Sequence, residues 1–215
     1  MSSRPLIVVD GLRKTHTQGV FKKRIIFQLE ADFTLQEPMI VAMMGPNGAG
    51  KTTLLDLIAG KSTPTSGRVI CVGKNIHKIK YNERKYLVMH HYPPNQFRRL
   101  KFWWKYTLQQ LSRTPNFLLE SAGNPDRMIH LYDELNTEDG YTGLLFNFFN
   151  KLRSEGHLVF FCIHPTEPFQ LKIMRKICDH YIFVHEGALT HMSDFNTFVK
   201  EKRVRNYLGD ILEDV

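Results

Sequence analysis

One nine-residue stretch, Gly45 to Thr53, constrains the fold of this chain more than any other. Its sequence, G-P-N-G-A-G-K-T-T, satisfies G-x-x-x-x-G-K-[S/T] at every fixed position. Residues 39–44 before it form a continuous apolar run, as expected for a parallel strand buried on both faces. Apolar residues recur at helical spacing over 54–58, and Gly60 ends that pattern. The order of strand, glycine-rich loop and helix predicts a phosphate-binding loop.

The residue types in this loop suit phosphate chemistry. Its glycines let the backbone turn and direct successive N–H groups at phosphate oxygens, and the following helix N-terminus adds about half a positive charge. Lys51 is expected to reach the β- and γ-phosphates, and the Thr52 hydroxyl to take one Mg²⁺ position. The residues predicted to bind the nucleotide here are Gly45, Asn47, Gly48, Ala49, Gly50, Lys51, Thr52 and Thr53.

Composition argues for one globular domain rather than a membrane-spanning or disulfide-rich chain. Of the 215 residues, 42% are hydrophobic and 23% are charged, which is ordinary for such a domain. The net charge of +8 favours an anionic partner, which is a nucleotide, a nucleic acid or an acidic membrane face. Cys71, Cys162 and Cys178 lie in or beside apolar stretches, so we expect buried, reduced thiols. With neither a signal peptide nor a spanning segment in the sequence, any membrane association is expected to be peripheral.

Apolar periodicity places further elements around the loop. A strand is predicted at 6–9 and a pair of strand segments within 25–35, with a polar, basic stretch at 13–24 between them, and we interpret this part as an antiparallel flank. The remaining predictions are strands at 68–72, 86–89, 128–132 and 157–163, helices at 144–152 and 167–177, and an amphipathic helical tail over 194–215.

The sequence around the loop resembles the nucleotide-binding subunit of an ABC (ATP-binding cassette) transporter. The resemblance rests on the loop itself, the following L-L-D-L-I-A-G, the turn T-P-T-S-G-R-V and a glycine at 73. It covers roughly residues 5–80 and resumes near residue 125, where the stretch 178–189, which contains Gly187, resembles the family's closing hairpin. It implies a single α/β P-loop NTPase domain over 1–215, with a mostly parallel sheet flanked by helices, an antiparallel β subdomain and a truncated helical subdomain.

The same resemblance implies ligands and partners. ATP and Mg²⁺ are the implied cofactors. The implied partners are integral membrane subunits and a second ABC-type subunit, identical or different, which would hold the chain on the cytoplasmic face of a membrane. Nucleic acid is an unlikely partner on this interpretation.

Four residues outside the loop take roles by this resemblance. The apolar run 128–132 followed by Asp133 and Glu134 is similar to the family's second strand motif. Asp133 would stand at the carboxyl end of a strand beside the loop, where a carboxylate can hold Mg²⁺, so the resemblance implies that it is a magnesium ligand. It implies that the adjacent Glu134 is the catalytic base that acts on water. His164 stands where the family has a histidine that contacts the γ-phosphate, and His16 stands where it often has an aromatic residue stacking on adenine.

The resemblance fails between residues 80 and 125. The family has there a glutamine loop, several helices and an L-S-G-G-Q signature, and this interval is too short for the usual insert, so we predict a reduced helical and coupling region. Residues 111–114 (L-S-R-T) take the position of the signature without its glycines and glutamine. One alternative is that Arg113 presents its charge to a phosphate instead.

Smaller departures concern single positions. The glutamine position falls on His90 or His91, after the predicted strand at 86–89, or on Gln96. Leu135 replaces the family's proline, and Asp139 comes nearest to its loop aspartate.

The stretch 97–106 combines four basic residues with five aromatic ones. It is open to three interpretations: a nucleic-acid surface, a docking surface for a coupling helix of a membrane subunit, or aromatic cover for the sheet with exposed cations.

These observations favour an ATPase subunit that dimerises around ATP and Mg²⁺ and thereby drives or gates a membrane partner. A degenerate cassette that binds nucleotide but hydrolyses it poorly is the second hypothesis, since the signature is missing. A nucleic-acid-associated ATPase is the third and rests on the net charge of +8.

Overall fold

Two β-sheets organise the chain in the computed structural model, which describes residues 4–19, 24–91, 128–133 and 142–212. Within these residues one sheet has four strands and the other has six. The first sheet is antiparallel throughout, and the second is parallel except at one edge. The prediction of a single domain over 1–215 with a reduced region at 80–125 stays a prediction, because residues 92–127 lie outside the described ones.

The antiparallel sheet holds the N-terminal part of the chain. Its strands are β1 (Ile7–Gln18), β2 (Arg24–Leu35), β4 (Ser66–Cys71) and β5 (Lys74–Asn75), in the spatial order β2-β1-β4-β5. The predicted antiparallel flank is therefore confirmed.

The lengths predicted for the first two strands are wrong. β1 does not end at Val9 but continues through the basic residues to Gln18, because their backbone groups pair with β2 while their side chains face solvent. β2 is one continuous strand, since alternate buried side chains persist from Leu29 to Leu35. The irregularity lies in β1 instead, where Gly11, at φ 51°, sits at a register shift.

The mostly parallel sheet forms the centre of the molecule. Its strands are β3 (Ile40–Met44), β6 (Val88–His91), β7 (Ile129–Tyr132), β8 (Leu158–Cys162), β9 (His180–His185) and β10 (Ala188–Met192), in the order β10-β9-β3-β8-β7-β6. β3 runs parallel to both of its neighbours, and all five of its residues are buried. This confirms the prediction of a strand covered on both faces.

Helices and the antiparallel sheet cover the two faces of this sheet. The helices are α1 (Lys51–Ile58), α2 (Tyr81–Arg84), α3 (Thr142–Ser154), α4 (Pro168–Ile177), α5 (Phe195–Lys200) and α6 (Lys202–Leu208), and a 3-10 turn follows at Gly209–Leu212. Val41 and Met43 pack with α1 and the antiparallel sheet in one core. Ile40 and Ala42 pack with α3 to α6 in a second core on the opposite face.

The turn between β9 and β10 ties the loop after β3 to both sheets. The N–H of Gly187 donates to the carbonyl of Ala49 (3.1 Å), and the carbonyl of Gly187 accepts from the N–H of Glu30 (2.8 Å). A Cβ at Gly187 would lie 1.7 Å from the carbonyl oxygen of Gln28, so glycine is required there. The closing hairpin thus holds the phosphate loop by its backbone.

Gly187→Ala should lower the free energy of unfolding by on the order of 3 kcal/mol, because it combines positive φ with a backbone clash. Gly156→Ala is the matched control, since Gly156 also has positive φ but a Cβ there meets no atom within 4 Å. It should cost about 1 kcal/mol. Urea unfolding measures both variants, and equal losses would contradict the role assigned to the hairpin.

Candidate nucleotide-binding site

The loop between β3 and α1 has the backbone of a phosphate cradle. Gly45, Gly48 and Gly50 have φ angles of 144°, 77° and 113°, which other residues rarely adopt. A Cβ at Gly45 would lie 2.0 Å from the carbonyl oxygen of Val184 in β9, so this glycine also allows the close approach of two backbones. The N–H of Leu54 donates to the carbonyl of Gly50 (2.9 Å) and begins α1.

An open cavity of about 190 Å³ lies against this loop. Its lining includes most of the predicted residues: Asn47, Gly48, Gly50, Lys51, Thr52 and Thr53, together with Phe27. Two predicted residues, Gly45 and Ala49, are not part of the lining. Gly45 turns the chain against β9, and the carbonyl of Ala49 accepts from Gly187. Both therefore shape the loop rather than line the cavity.

Lys51 is folded back onto the loop. Its ammonium donates to the carbonyls of Gly45 (2.7 Å) and Pro46 (2.9 Å), and 6% of the residue is exposed. Anionic phosphate oxygens accept hydrogen bonds from an ammonium more strongly than neutral carbonyls do. The ammonium is therefore held by carbonyls of the loop, and Lys51 lines the cavity beside it.

Phe27 is a site residue that the sequence interpretation missed. It lies in β2 opposite His16 of β1, and the two ring centroids are 5.9 Å apart. The Phe27 ring also borders the loop, since a Cβ at Gly50 would lie 2.8 Å from its Cζ. His16 itself is exposed and is not among the residues that line the cavity. The register of the β1–β2 hairpin brings Phe27 rather than His16 to the cavity, and the sequence alone does not report that register.

Asp133 and His164 lie at the same edge of the sheet as the loop. Asp133 follows β7 directly, and His164 comes two residues after β8. Since β3, β8 and β7 are mutually parallel, their carboxyl ends share one edge. β8 lies between β7, the strand before Asp133, and the loop's own strand β3. Asp133 is 3% exposed, and its N–H donates to the carbonyl of His91 (3.1 Å).

A cation lies within electrostatic range of Asp133. Partial burial lowers the pKa of Lys61, while the charges of Asp56 and Asp133 oppose that shift. Lys61 follows the carboxyl end of α1, and its N–H donates to the carbonyl of Asp56 (2.8 Å). The lysine therefore links the helix after the loop electrostatically to the end of β7.

The two histidines at the predicted glutamine position lie inside a strand rather than after it. β6 extends to His91 because its backbone pairs with β7 up to Tyr132. Nδ1 of His90 lies 3.5 Å from Oδ1 of Asp56, and the His90 side chain is 1% exposed. The ring of His91 stacks on Tyr132, with centroids 4.2 Å apart. The two side chains point to opposite faces of the sheet.

Several predicted positions fall outside the described residues. They are Glu134, Leu135 and Asp139, the signature-like residues 111–114 with Arg113, the candidate Gln96, and the basic and aromatic stretch 97–106. Their roles stay predictions.

The three cysteines are free thiols, two of them buried. Burial raises the pKa of Cys71 to about 12 and that of Cys178 well above its ordinary value. Both thiols therefore stay protonated at neutral pH, which makes them poor metal ligands and nucleophiles. Across the described ranges, no group of three or more His, Cys, Asp and Glu side chains is arranged to hold a metal ion.

In the part of the chain that the structure describes, no helix combines the length and apolar character needed to cross a membrane.

The family model for the ABC transporter matches residues 29–143, just over half of the 215 residues. This chain belongs to the ABC transporter family. The match begins in β2 and includes the loop, α1 and Asp133. The resemblance drawn from the loop and its flanking motifs is thereby confirmed.

Curated ABC proteins match over shorter stretches. The lipoprotein-releasing system ATP-binding protein LolD of Wigglesworthia glossinidia brevipalpis is 31% identical over 87 residues, which is 40% of this chain and 37% of that protein. The Fe(3+) ions import ATP-binding protein FbpC 1 of Haemophilus influenzae is 32% identical over 84 residues, which is 39% of this chain and 24% of that protein. The matched stretches therefore span well under half the length of these relatives.

Solved cassettes share the fold over nearly the whole chain. A nucleotide-free ATP-binding cassette from an ABC transporter aligns with a TM-score of 0.65 and 14% identity, covering 96% of this chain and 99% of that one. A cassette in its ADP conformation aligns with a TM-score of 0.64 and 14% identity, covering 95% and 98%. The predicted fold class, an ABC-type α/β P-loop NTPase with an antiparallel β subdomain, is confirmed.

The buried His90 of this cassette should make its stability depend on pH. Burial, with a smaller contribution from Lys61, lowers the pKa of His90 to about 3, so it is neutral at pH 7 and makes no ion pair with Asp56. An unfolded histidine titrates near pH 6.5. Below that pH the unfolded chain binds a proton that the folded chain does not, and stability falls as the pH falls.

We expect this histidine to cost about 2 kcal/mol of stability between pH 7 and pH 5. His90→Gln should remove about that much of the pH-dependent loss, measured by urea unfolding at both values. The exposed His16→Gln is the control. Burial, with a smaller contribution from His191, lowers the pKa of His180 to about 4. This second histidine should therefore leave part of the loss in every variant. An unchanged pH dependence in His90→Gln would contradict the assignment.

Proposed function

We propose that this cassette is the ATP-binding and ATP-hydrolysing subunit of an ABC-type membrane complex, in which two cassettes close around ATP and Mg²⁺ and so drive or gate a membrane partner. One observation carries the proposal: the glycine cradle with its stored lysine shares a sheet edge with Asp133 and His164. The loop provides binding, and the other strand ends provide the groups that act on the γ-phosphate.

A nucleoside triphosphate matches the cavity in charge and in shape. The loop backbone and Lys51 offer N–H donors and a positive charge for the phosphates. Phe27, which borders both the loop and His16, offers an apolar wall for the ribose and base. The order Gly50, Phe27, His16 along the surface then follows the order of phosphate, ribose and adenine in ATP.

The residues that would hold Mg²⁺ are Thr52 and Asp133. Thr52 lines the cavity, and Asp133 lies at the same sheet edge with an oxygen donor of the kind that Mg²⁺ prefers. When bound, Mg²⁺ neutralises negative charge on the phosphate oxygens.

Hydrolysis would use residues at the ends of β7 and β8. Glu134 would accept a proton from water as the water oxygen bonds to the γ-phosphorus and the bond to the β-phosphate oxygen breaks, releasing ADP and phosphate. His164 would donate a hydrogen bond to a γ-phosphate oxygen. Asp133 would hold its place through the backbone hydrogen bond to His91.

The names of the relatives support a proposal about partners and place in the cell. LolD and FbpC 1 are named as ATP-binding proteins of a lipoprotein-releasing system and of iron import. We infer that this chain also works with integral membrane subunits and with a second cassette, on the cytoplasmic face of a membrane. The transported substance would be selected by the membrane subunits.

The missing signature favours a second candidate function. Residues 111–114 lack the glycines that allow a close approach to a partner's γ-phosphate. A cassette of this kind would bind nucleotide and regulate its complex with little hydrolysis. An asymmetric pair of cassettes would reconcile the missing signature with the retained Lys51, Thr52 and His164. In such a pair, a different cassette would supply the signature for this chain's own phosphate loop.

Turnover with a Glu134→Gln variant tests the proposal. The chain is purified with the membrane subunits that accompany it, and its Mg²⁺-dependent release of phosphate should fall by about 100-fold in the variant. Glu37→Gln, at an exposed glutamate in the connection before β3, should keep full turnover. If neither the parent nor the variant hydrolyses ATP although both bind it, the hydrolysis proposal would be wrong and the second candidate function would be favoured. Steeply salt-dependent binding of RNA or DNA would point instead to a nucleic-acid-associated ATPase.

Phe27→Ala should weaken ATP binding by about 5- to 50-fold, because the ring would no longer cover the ribose and base. Binding of inorganic tripolyphosphate, which needs the loop alone, should change little. Phe27→Tyr keeps the ring and should bind ATP as the parent does. Titration calorimetry with both ligands measures the difference, and equal losses for ATP and tripolyphosphate would show that Phe27 shapes the loop instead.

A further inference from the structure

A tyrosine near the C-terminus contacts the histidine proposed to sense the γ-phosphate. Tyr207 lies on α6, and its hydroxyl is 2.9 Å from Nδ1 of His164, 43 residues away in the chain. We propose that Tyr207 is a positioning residue for His164, and that the C-terminal segment from Phe195 to Leu212 thereby forms part of the nucleotide-sensing edge. This inference rests on the proposed function of His164.

The contact can decide which nitrogen of His164 carries the proton. A histidine that contacts a phosphate oxygen must donate a hydrogen bond, because that oxygen is an acceptor. If the hydroxyl of Tyr207 donates to Nδ1, the neutral ring carries its proton on Nε2 and can donate from there. Burial raises the pKa of Tyr207, so its hydroxyl keeps its proton at neutral pH. The tyrosine thus selects the donor form of the histidine, in addition to orienting its ring.

The hydroxyl is held in place by the core. The ring of Tyr207 lies against Phe183 of β9, with centroids 5.4 Å apart, and β9 is the direct neighbour of β3. Val204 and Leu208, on the same short helix, are fully buried. The carboxylate of Glu201 accepts from the N–H of Val204 (2.9 Å) and caps the start of α6. A partner that shifts this helix would shift His164 as well.

A second tyrosine provides a matched control. Tyr181 lies on β9 and packs against Phe198 of α5, so it too joins the sheet to the C-terminal segment. Its hydroxyl donates to the carbonyls of Met174 and Cys178, both at 3.1 Å. Tyr181→Phe therefore removes a buried tyrosine hydroxyl from the same core without touching His164.

The first experiment compares Tyr207→Phe with Tyr181→Phe in the chain purified with its membrane subunits. Tyr207→Phe should lower kcat by about 5- to 20-fold while KM for ATP stays within twofold of the parent. Tyr181→Phe should lower the melting temperature and leave kcat unchanged. In a His164→Ala background, Tyr207→Phe should cause no further loss, since the two residues would act as one unit. Equal kcat values in the two phenylalanine variants, or additive losses with His164→Ala, would overturn the proposal.

A second measurement separates this inference from the proposed function. Ring ¹⁵N shifts of the full chain without nucleotide report the tautomer of each histidine, and the signal absent in His164→Ala identifies His164. The parent should show the Nε2–H form, and Tyr207→Phe should show a mixture of the two forms. A parent that hydrolyses no ATP but gives this result would contradict the ATPase proposal and support the contact, whereas an unchanged tautomer in Tyr207→Phe would overturn the contact.

Discussion

The backbone contact between the phosphate loop and the closing hairpin is the constraint on which the rest of this cassette depends. A left-handed glycine loop has few side chains to hold it, so its shape must come from neighbouring backbone. Gly187 supplies that by joining Ala49 to Glu30, and Gly45 lies directly against Val184. Strand order follows, because β9 must lie beside β3 for these contacts to form. The site is thus built at a junction of the two sheets.

Local chemistry explains why part of the fold was predictable. β3, the loop and α1 were predicted because an apolar run, glycines and helical spacing all act within a few residues of one another. β7 and β8 were predicted for the same reason, since each is short, apolar and buried, whereas β9 was expected only from the resemblance to the family's closing hairpin. The ends of β1 and β6 were misplaced because strand pairing, a long-range interaction, decides how far a polar stretch stays extended.

The same distinction between local patterns and long-range contacts applies to the residues of the candidate site. Lys51 and Thr52 were identified from the loop motif, and the cavity is lined by both. Phe27 was missed because its approach to Gly50 depends on the register of a hairpin and on the packing of one sheet onto another. The contact between His164 and Tyr207 spans 43 residues and leaves no periodic signal. Hydropathy and spacing do not report a hydrogen bond between elements that meet through the tertiary fold.

The groups proposed to meet the nucleotide are local in sequence, but groups that hold them come from elsewhere: Gly187 from the β9–β10 turn and Tyr207 from α6. Each supporting contact reaches one strand end or the loop itself, so a displacement of the hairpin or of the C-terminal helix alters one part of the edge without unfolding the sheet. A membrane partner or second cassette that presses on the hairpin or on the C-terminal helix would then act on the nucleotide through the backbone of the loop or the ring of His164. The parallel strands would serve as the fixed frame between the hairpin and the helix.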